Sequence, residues 1–380
     1  VLPGTTIFTR MTALAEETGA INLGQGFPDF DGPAAVIEAA VEAVRAGRNQ
    51  YAPLAGVREL REAIAEHQSR HYGLVVDPDR EIQVTFGATE ALAAGVLGLV
   101  ARGEEVAFLD PAYDSYAAIV ALAGGRARRI VLEPPAWRLT ESAVEAGIGR
   151  ETRVVVINSP HNPTGRVFDR EELELVAAAC RKHDVIALTD EVYEHIVFDG
   201  RHLPLAGFAG MAERTVTVSS VGKTFSVTGW KVGWASGPAE LIGRLREVKQ
   251  FLTFAGGTPL QYAAAAALGL PESVAQEMAG RLADKRDRLT SGLRSVGFGV
   301  LPSAATYFVN AEASGLGEED AASLCGRLPH EAGVVGIPTS AFAGDPEGAT
   351  RGLIRLAFPK GDAVLDEAVA RLGRWAAGRA

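Results

Sequence analysis

Cysteine is almost missing from this sequence: two residues, Cys180 and Cys325, in a chain of 380. Both lie in helical-looking runs with apolar flanks, which fits buried free thiols in a reducing compartment and excludes a disulfide scaffold. Long apolar runs are missing too. No stretch of about eighteen residues is both apolar and free of charge, so no membrane-spanning helix is expected. The opening residues, VLPGTTIFTRMTALAEETG, lack the basic-then-apolar order of a secretion signal. With the sparse cysteine, this predicts a cytoplasmic protein. Basic clusters are lacking as well, and the net charge is −10. Such a chain is poorly suited to nucleic acid or to an anionic membrane. No internal repeat is present.

What is present is apolar substance and one oddly placed lysine. Hydrophobic residues make up 47% of the chain, ample for a large core and about two domains. In VTVSSVGKTFSVTGWKVGWASGP (216–238) a β-rich run leads through two serines and a glycine to Lys223, and a second β-rich run follows at 232–235. Lysine between buried strands carries a large desolvation cost. It is either a surface lysine on a strand-to-strand turn, or a desolvated amine that loses its proton and becomes an imine-forming nucleophile.

Ile21–Phe30 (INLGQGFPDF) gathers two glycines and a proline around Phe27. It is a linker or a loop that closes over a ligand. Helices are expected at Pro33–Ala46, with proline first and Gly47 as stop, and at Val57–His71. Between them the loop NQYAPLAG (49–56) carries Tyr51. His67 and His71 have metal-pair spacing, but no acidic pair or cysteine accompanies them. They read as surface histidines, and no metal is expected.

Glu81–Phe86 reads as a strand, Gly87–Thr89 as a turn and Glu90–Val100 as a helix. That order makes an anion site at the helix start; the alternative is plain capping by Thr89. Strands at Glu105–Leu109, Arg128–Leu132, Val154–Ile157 and Val185–Leu188 follow, separated by helices. Tyr113 lies just past the first of these, where open α/β sheets bind ligands. NSPHNPTG (158–165) follows the third, and its prolines restrict the backbone around Asn162. Asp190, Glu191 and Tyr193 follow the fourth, and Asp190 is a helix N-cap or a charge aimed into a crevice. Six or seven strands thus alternate with helices from 81 to 236. Many are continuous apolar runs, as in parallel strands covered on both faces. A long helix from Pro259 to about Arg294, broken near Gly269, leads into a smaller mixed part. That part has strands near 297–301, 305–309 and 353–358 and helices near 318–328 and 364–378. Arg355 stands in the last strand and needs an acid partner, either internal or on a substrate.

Together, NPTG (162–165), DEVY (190–193), SVGKTFSVTGWKVGW (220–234) and the strand arginine Arg355 resemble the class I/II pyridoxal-phosphate-dependent aminotransferases, over nearly the whole chain. The resemblance implies an α/β fold of type I: a mainly parallel seven-stranded sheet with a smaller α+β domain. It implies an arm and substrate loop at 1–30, part of the small domain at 31–48 and a large cofactor-binding domain at 49–270. A bridging helix at 271–294 and the rest of the small domain at 295–380 complete the division. It also implies a homodimer with composite sites, binding pyridoxal 5′-phosphate.

In that scheme Lys223 is the Schiff-base lysine and the general base. Asp190 pairs with the pyridine nitrogen, Tyr193 and Asn162 hold the ring's 3-oxygen, and Tyr113 stacks on the ring. Ala88, Thr89, Ser220 and Lys231 form the phosphate cup, and Tyr51 reaches the phosphate of the neighbouring subunit. Arg355 clamps the substrate carboxylate with the backbone of Gly26, beside Phe27 and Asn162. Lys231 stands where many relatives carry arginine, which keeps the charge and loses the fork.

NLGQGFPDF (22–30) and GWKVGW (229–234) resemble most the branch with kynurenine, glutamine and methionine aminotransferases and actinobacterial N-succinyldiaminopimelate aminotransferases. No unambiguous second arginine awaits an acidic side chain, and Phe27, Tyr113 and Phe342 suggest an apolar pocket. The expectation is a broad amino-acid:2-oxo-acid aminotransferase. Alternatives are N-succinyldiaminopimelate as donor, and a cysteine-conjugate β-lyase on the same scaffold. A ligand-sensing role in a regulator would need a fused DNA-binding module, for which the arm before Ile21 is too short.

Overall fold

The computed structural model describes residues 6–378; the first five residues of the expected arm and the last two of the expected small domain lie outside the described residues. Helix α1 (Ile7–Thr18) is capped by the Thr6 hydroxyl, which accepts from Thr9 N, and is stopped by Gly19 in the left-handed region. β1 (Ile21–Asn22), α2 (Ala34–Arg45) and α3 (Arg58–Tyr72) follow. Pro33 directly precedes α2, where its fixed φ pre-sets the helix and its missing N–H costs nothing.

Strands and helices then alternate. β2 (Ile82–Phe86) runs straight into α4 (Gly87–Leu99), and β3 (Glu105–Asp110) into α5 (Ser115–Leu122). β4 (Arg126–Val131), α6 (Glu141–Gly147) and β5 (Thr152–Asn158) come next. α7 (Arg170–His183) opens on a full capping box, Asp169 with Glu172. β6 (Ile186–Asp190), β7 (Thr215–Ser220), α8 (Val221–Thr224) and β8 (Val232–Ser236) complete this part.

The seven strands form one sheet in the order β2-β8-β7-β6-β5-β3-β4. Five of them, β7, β6, β5, β3 and β4, are mutually parallel; β8 runs antiparallel to both β2 and β7. Apolar side chains of α4 and of the helix Ala239–Leu252 cover one face, and those of α6 and α7 the other. The central strands are therefore buried throughout, whereas edge strand β4 exposes Arg126 and Arg128, which discourages pairing with another chain.

α9 (Ala239–Leu252), α10 (Thr258–Leu268) and α11 (Glu272–Val296) follow. The long helix expected from Pro259 is thus two helices. Pro271, directly before α11, cannot donate to a continuing helix and biases its predecessor away from helical backbone.

A second sheet of four strands, β12-β13-β10-β9, is built from β9 (Gly299–Val300), β10 (Phe308–Glu312), β12 (Ile337–Pro338) and β13 (Leu353–Ala357). β11 (Val334–Val335) pairs in parallel with β1, tying residues 21–22 to this part of the chain. α12 (Ala321–Glu331) and α13 (Asp362–Ala377) cover it. The strand expected at 305–309 begins later, at Phe308, because Thr306 has φ 73° and breaks the extended run. Cys180 and Cys325 are both free and buried. Among the described residues no helix is long and apolar enough to cross a membrane.

Candidate active site

The loops beyond the carboxyl ends of the parallel strands meet at one cavity of about 420 Å³, where open α/β sheets bind ligands. Asp190 ends β6, paired in register with Asn158 at the end of β5. No helix follows it, so it is no N-cap: its carboxylate is buried and lines the cavity. Tyr116 OH donates to Asp190 Oδ2 at 2.7 Å, and Val192 N reaches Oδ1 at 3.4 Å. Burial pushes the Asp190 carboxyl upward against those hydrogen bonds. It forms no ion pair among the described residues, so the site holds a negative charge in need of a cation.

Lys223 lies in α8, a single turn linking β7 to β8 rather than the bare strand-to-strand turn. Its Nζ is 5.6 Å from the ring centres of both Tyr193 and Tyr307. Burial lowers it to about 8, against the pull of Asp190 and with help from Lys231 and Arg355. The Tyr307 hydroxyl donates to the Lys223 carbonyl and pins the turn.

At the other end of the cavity α4 begins at Gly87, three residues earlier than expected, so Thr89 sits inside its first turn rather than capping it. Ala88, Thr89, Ser220 and Lys231 all line this end. Lys231 has φ 54°, and its Nζ lies 3.2 Å from where a Cβ on Gly87 would stand. Gly233 makes the close approach possible: a Cβ there would come within 2.6 Å of the Gly87 carbonyl carbon and 2.7 Å of Ala88 N. Unpaired helix N–H groups, a hydroxyl pair and an ammonium form an anion cradle.

Arg355 is in β13 and fully buried. Its Nη1 donates to Asn162 Oδ1 and its Nη2 to the Gly24 carbonyl, both at 3.0 Å, while Nε has no partner. The guanidinium stacks on Phe308 at 4.0 Å and on Phe342 at 4.5 Å. Of the two partners left open for it, an internal acid is not found among the described residues, and a buried cation is left for a carboxylate ligand. Asn162 is held by its own N–H, which donates to Asn158 Oδ1 at 2.7 Å. Gly26 passes so near Phe308 that a Cβ would lie 2.3 Å from its Cζ.

Gly26, Phe27, Tyr113, Asn162, Tyr193 and Arg355 therefore share the cavity with Lys223 and Asp190. One residue expected in the pocket does not. Phe342 backs Arg355 from behind instead of lining the pocket. Tyr51 is 82% exposed and packs edge-to-face on Phe254, outside the cavity. His67 and His71 also lie apart from it, and His67 is 2% exposed, not on the surface, because its side of α3 packs inward. Among the residues missed are Tyr116, Tyr307 and Phe8, the last also lining the cavity. The signal for Tyr116 was its place one helical turn after Tyr113; nothing local distinguished the other two.

The sequence profile of aminotransferase class I and II matches residues 18–372. The chain belongs to this family. It is 47% identical over 378 residues to a Mycobacterium tuberculosis protein named as a probable N-succinyldiaminopimelate aminotransferase, covering 97% of this chain and 95% of the relative. The solved structure of N-succinyldiaminopimelate aminotransferase from Mycobacterium tuberculosis superposes with a TM-score of 0.96 at 48% identity, over 98% of this chain and 97% of that one. Methionine aminotransferase of Escherichia coli is 43% identical, over 97% of this chain and 95% of the relative. As a fold type I aminotransferase, this enzyme takes pyridoxal 5′-phosphate as cofactor. The cavity fits that molecule: a buried carboxylate with no ion pair among the described residues for a cationic ring, an anion cradle for a phosphate, and a buried amine for an aldehyde. The reaction is ping-pong transfer of an amino group between an amino acid and a 2-oxo acid.

Proposed function

We propose that this aminotransferase takes N-succinyl-diaminopimelate as amino donor, working through Lys223, Asp190 and Arg355. The observation that carries the residue roles is the meeting of these three in one cavity with an anion cradle at its far end. When bound, pyridoxal 5′-phosphate supplies an aldehyde that carries the amino group and a ring that accepts the electron pair freed at the donor Cα. Lys223 Nζ is the group that would hold the cofactor at its aldehyde, and the same amine would take the proton from the donor Cα. An amine lowered to about 8 is a sound base near neutral pH.

Asp190 keeps the ring nitrogen protonated, and Tyr116 positions Asp190. Tyr193 and Asn162 hold the 3-oxygen, and Tyr113 stacks on the ring. Thr89, Ser220, Lys231 and the N–H groups from Ala88 onward hold the phosphate. Arg355, with the Gly26 backbone, takes the donor α-carboxylate, which aligns the Cα–H bond for proton loss. The seven-stranded sheet within 49–270 and the small sheet within 295–380 are two domains bridged by 271–294, with 1–30 the arm and substrate loop; the segment 31–48, expected in the small domain, instead packs Val36 of α2 against α3, β2 and α10. Two subunits form a homodimer in the cytoplasm, with Tyr51 reaching the partner's phosphate.

The likeness to the Mycobacterium tuberculosis enzyme over the whole chain supports the succinylated donor better than the broad amino-acid range that the aromatic residues suggested. Phe342, part of that apolar argument, is not in the cavity. Lys360 places a cation behind the mouth loop, its Nζ 4.4 Å from the Phe27 ring and donating to the Phe27 carbonyl at 2.9 Å. An acidic side chain arriving past Phe27 meets a favourable field there. The test is a stopped-flow half-reaction screen that follows loss of the cofactor's visible band. N-succinyl-diaminopimelate should react at least about a hundredfold faster per unit concentration than any standard amino acid. Comparable rates for methionine, glutamine and kynurenine would return the choice to a broad enzyme.

A further inference from the structure

Three histidines converge outside the reaction cavity. His67 and His71 stand one turn apart on α3, and His195 comes from the segment leaving β6. Their ring centres make a nearly equilateral triangle: 4.6 Å from His67 to His71, 5.0 Å from His67 to His195 and 4.9 Å from His71 to His195. One ring nitrogen of each lies within 4.8 Å of the other two. His67 Nε2 and His195 Nε2 are 2.7 Å apart, and His67 Nδ1 is buried with no hydrogen-bond partner.

Plain aromatic packing accounts poorly for this. A neutral imidazole has one donor and one acceptor to satisfy, and a buried group left unpaired is costly. Imidazole rings clustered in this way are ready metal ligands. A carboxylate stands beside them. Glu194 Oε2 is 4.0 Å from His67 Nε2, and Glu194 accepts from Tyr72 OH at 2.5 Å and from the Ser219 hydroxyl.

We propose that His67, His71 and His195 bind a divalent transition-metal ion of the zinc type, with Glu194 or water in the fourth position. Neutral imidazoles plus an oxygen donor suit zinc, and His71 is only half-buried, which leaves an entry path. Metal–nitrogen bonds near 2.0–2.1 Å at tetrahedral angles put ligand nitrogens about 3.3 Å apart. The short His67–His195 contact then opens by roughly 0.6 Å and the widest pair closes by roughly 1.5 Å, within reach of side-chain rotation. The ion joins α3 to the chain just past Asp190. None of the three histidines lines the reaction cavity, so it is a structural clamp rather than a participant in amino transfer.

The cofactor-loaded enzyme, freed of metal by a chelator, is titrated with Co²⁺, whose tetrahedral ligand-field bands lie beyond the cofactor's own absorption. One equivalent should give a saturable band that Zn²⁺ displaces, and Zn²⁺ should raise the melting temperature. His71→Ala should weaken uptake by at least about tenfold with transamination kept. His71→Cys should restore binding and add a thiolate-to-cobalt charge-transfer band, which separates ligation from packing. No saturable band in the wild type, or unchanged uptake in His71→Ala, overturns the site.

Discussion

At Lys223 the burial that costs stability is what makes the amine reactive. In the cofactor-free protein its value is about 8, against an ordinary 10.5 in the unfolded chain. Between those values the unfolded chain binds more protons than the folded one, so stability rises with pH across that window. Below it the full cost of a buried ammonium is present, about 3 kcal/mol for the difference. Cofactor-free Lys223→Met should therefore be more stable than wild type below about pH 8, with the gap closing towards pH 10.5. Denaturation midpoints across that range measure it, and a flat gap would remove the shift. The loaded variant should lose nearly all transamination. Asp190 carries a second expectation. Asp190→Asn deletes a preorganised charge and should cost about 3 kcal/mol in the barrier, roughly two orders of magnitude in kcat. Tyr116→Phe acts through Asp190. Losing a hydrogen bond to the charged form raises the carboxyl further, so the acidic limb of the kcat profile should move up in pH with kcat reduced about tenfold. A Tyr116→Phe profile that keeps its acidic limb would show that the hydroxyl only fills space.

At the scale of elements, what the sequence disclosed was whatever local chemistry encodes. Pro33 before α2 set a boundary by its fixed φ; the Asp169–Glu172 capping box and Pro271 before α11 are signals just as local that went unread. The apolar runs from 82 to 236 disclosed a sheet covered on both faces. The motif residues disclosed most of the cavity lining. Hidden from it were β1 and β11, two-residue strands whose existence is a pairing between positions 21 and 334. The orientation of Tyr307 onto the Lys223 carbonyl was hidden for the same reason: it depends on distant segments meeting. The contact between α4 and β8 is another such meeting, and Gly233 sets it. Gly233→Ala puts a methyl group within 2.6 Å of the Gly87 backbone, which cannot yield as a flexible side chain would. Overpacking of this kind costs about 1–3 kcal/mol and should push the α4 start away from Lys231. The expected readout is a lowered melting temperature together with weaker pyridoxal 5′-phosphate affinity. A loss of stability with cofactor affinity intact would detach the α4 start from phosphate binding.

At the scale of the whole molecule, exposed aromatic side chains gather in one patch among the described residues. Phe251 is 85% exposed and Tyr51 82%, and Phe254 and Leu252 are each 47% exposed. Tyr51 and Phe254 meet edge-to-face at 5.8 Å, so the 49–56 loop and the end of α9 form one patch. Large exposed patches of this kind mark association surfaces, and burying each phenylalanine is worth about 1.5–3 kcal/mol. A self-complementary two-fold contact would cover both copies at once. It would also give Tyr51, which has no contact with its own cavity, a place beside the partner's. Sedimentation at assay concentration should find a dimer, and Phe251→Asp with Phe254→Asp should shift it to monomer with activity lost. Tyr51→Phe separates the two halves of this argument. It removes one hydroxyl and leaves the patch apolar, so the dimer should persist while pyridoxal 5′-phosphate affinity falls about tenfold, the loss of one hydrogen bond to a charged group. Unchanged affinity in that variant would take Tyr51 off the partner's phosphate yet leave the dimer standing. An active wild-type monomer would dispose of both, because the patch would then serve no second copy of this chain.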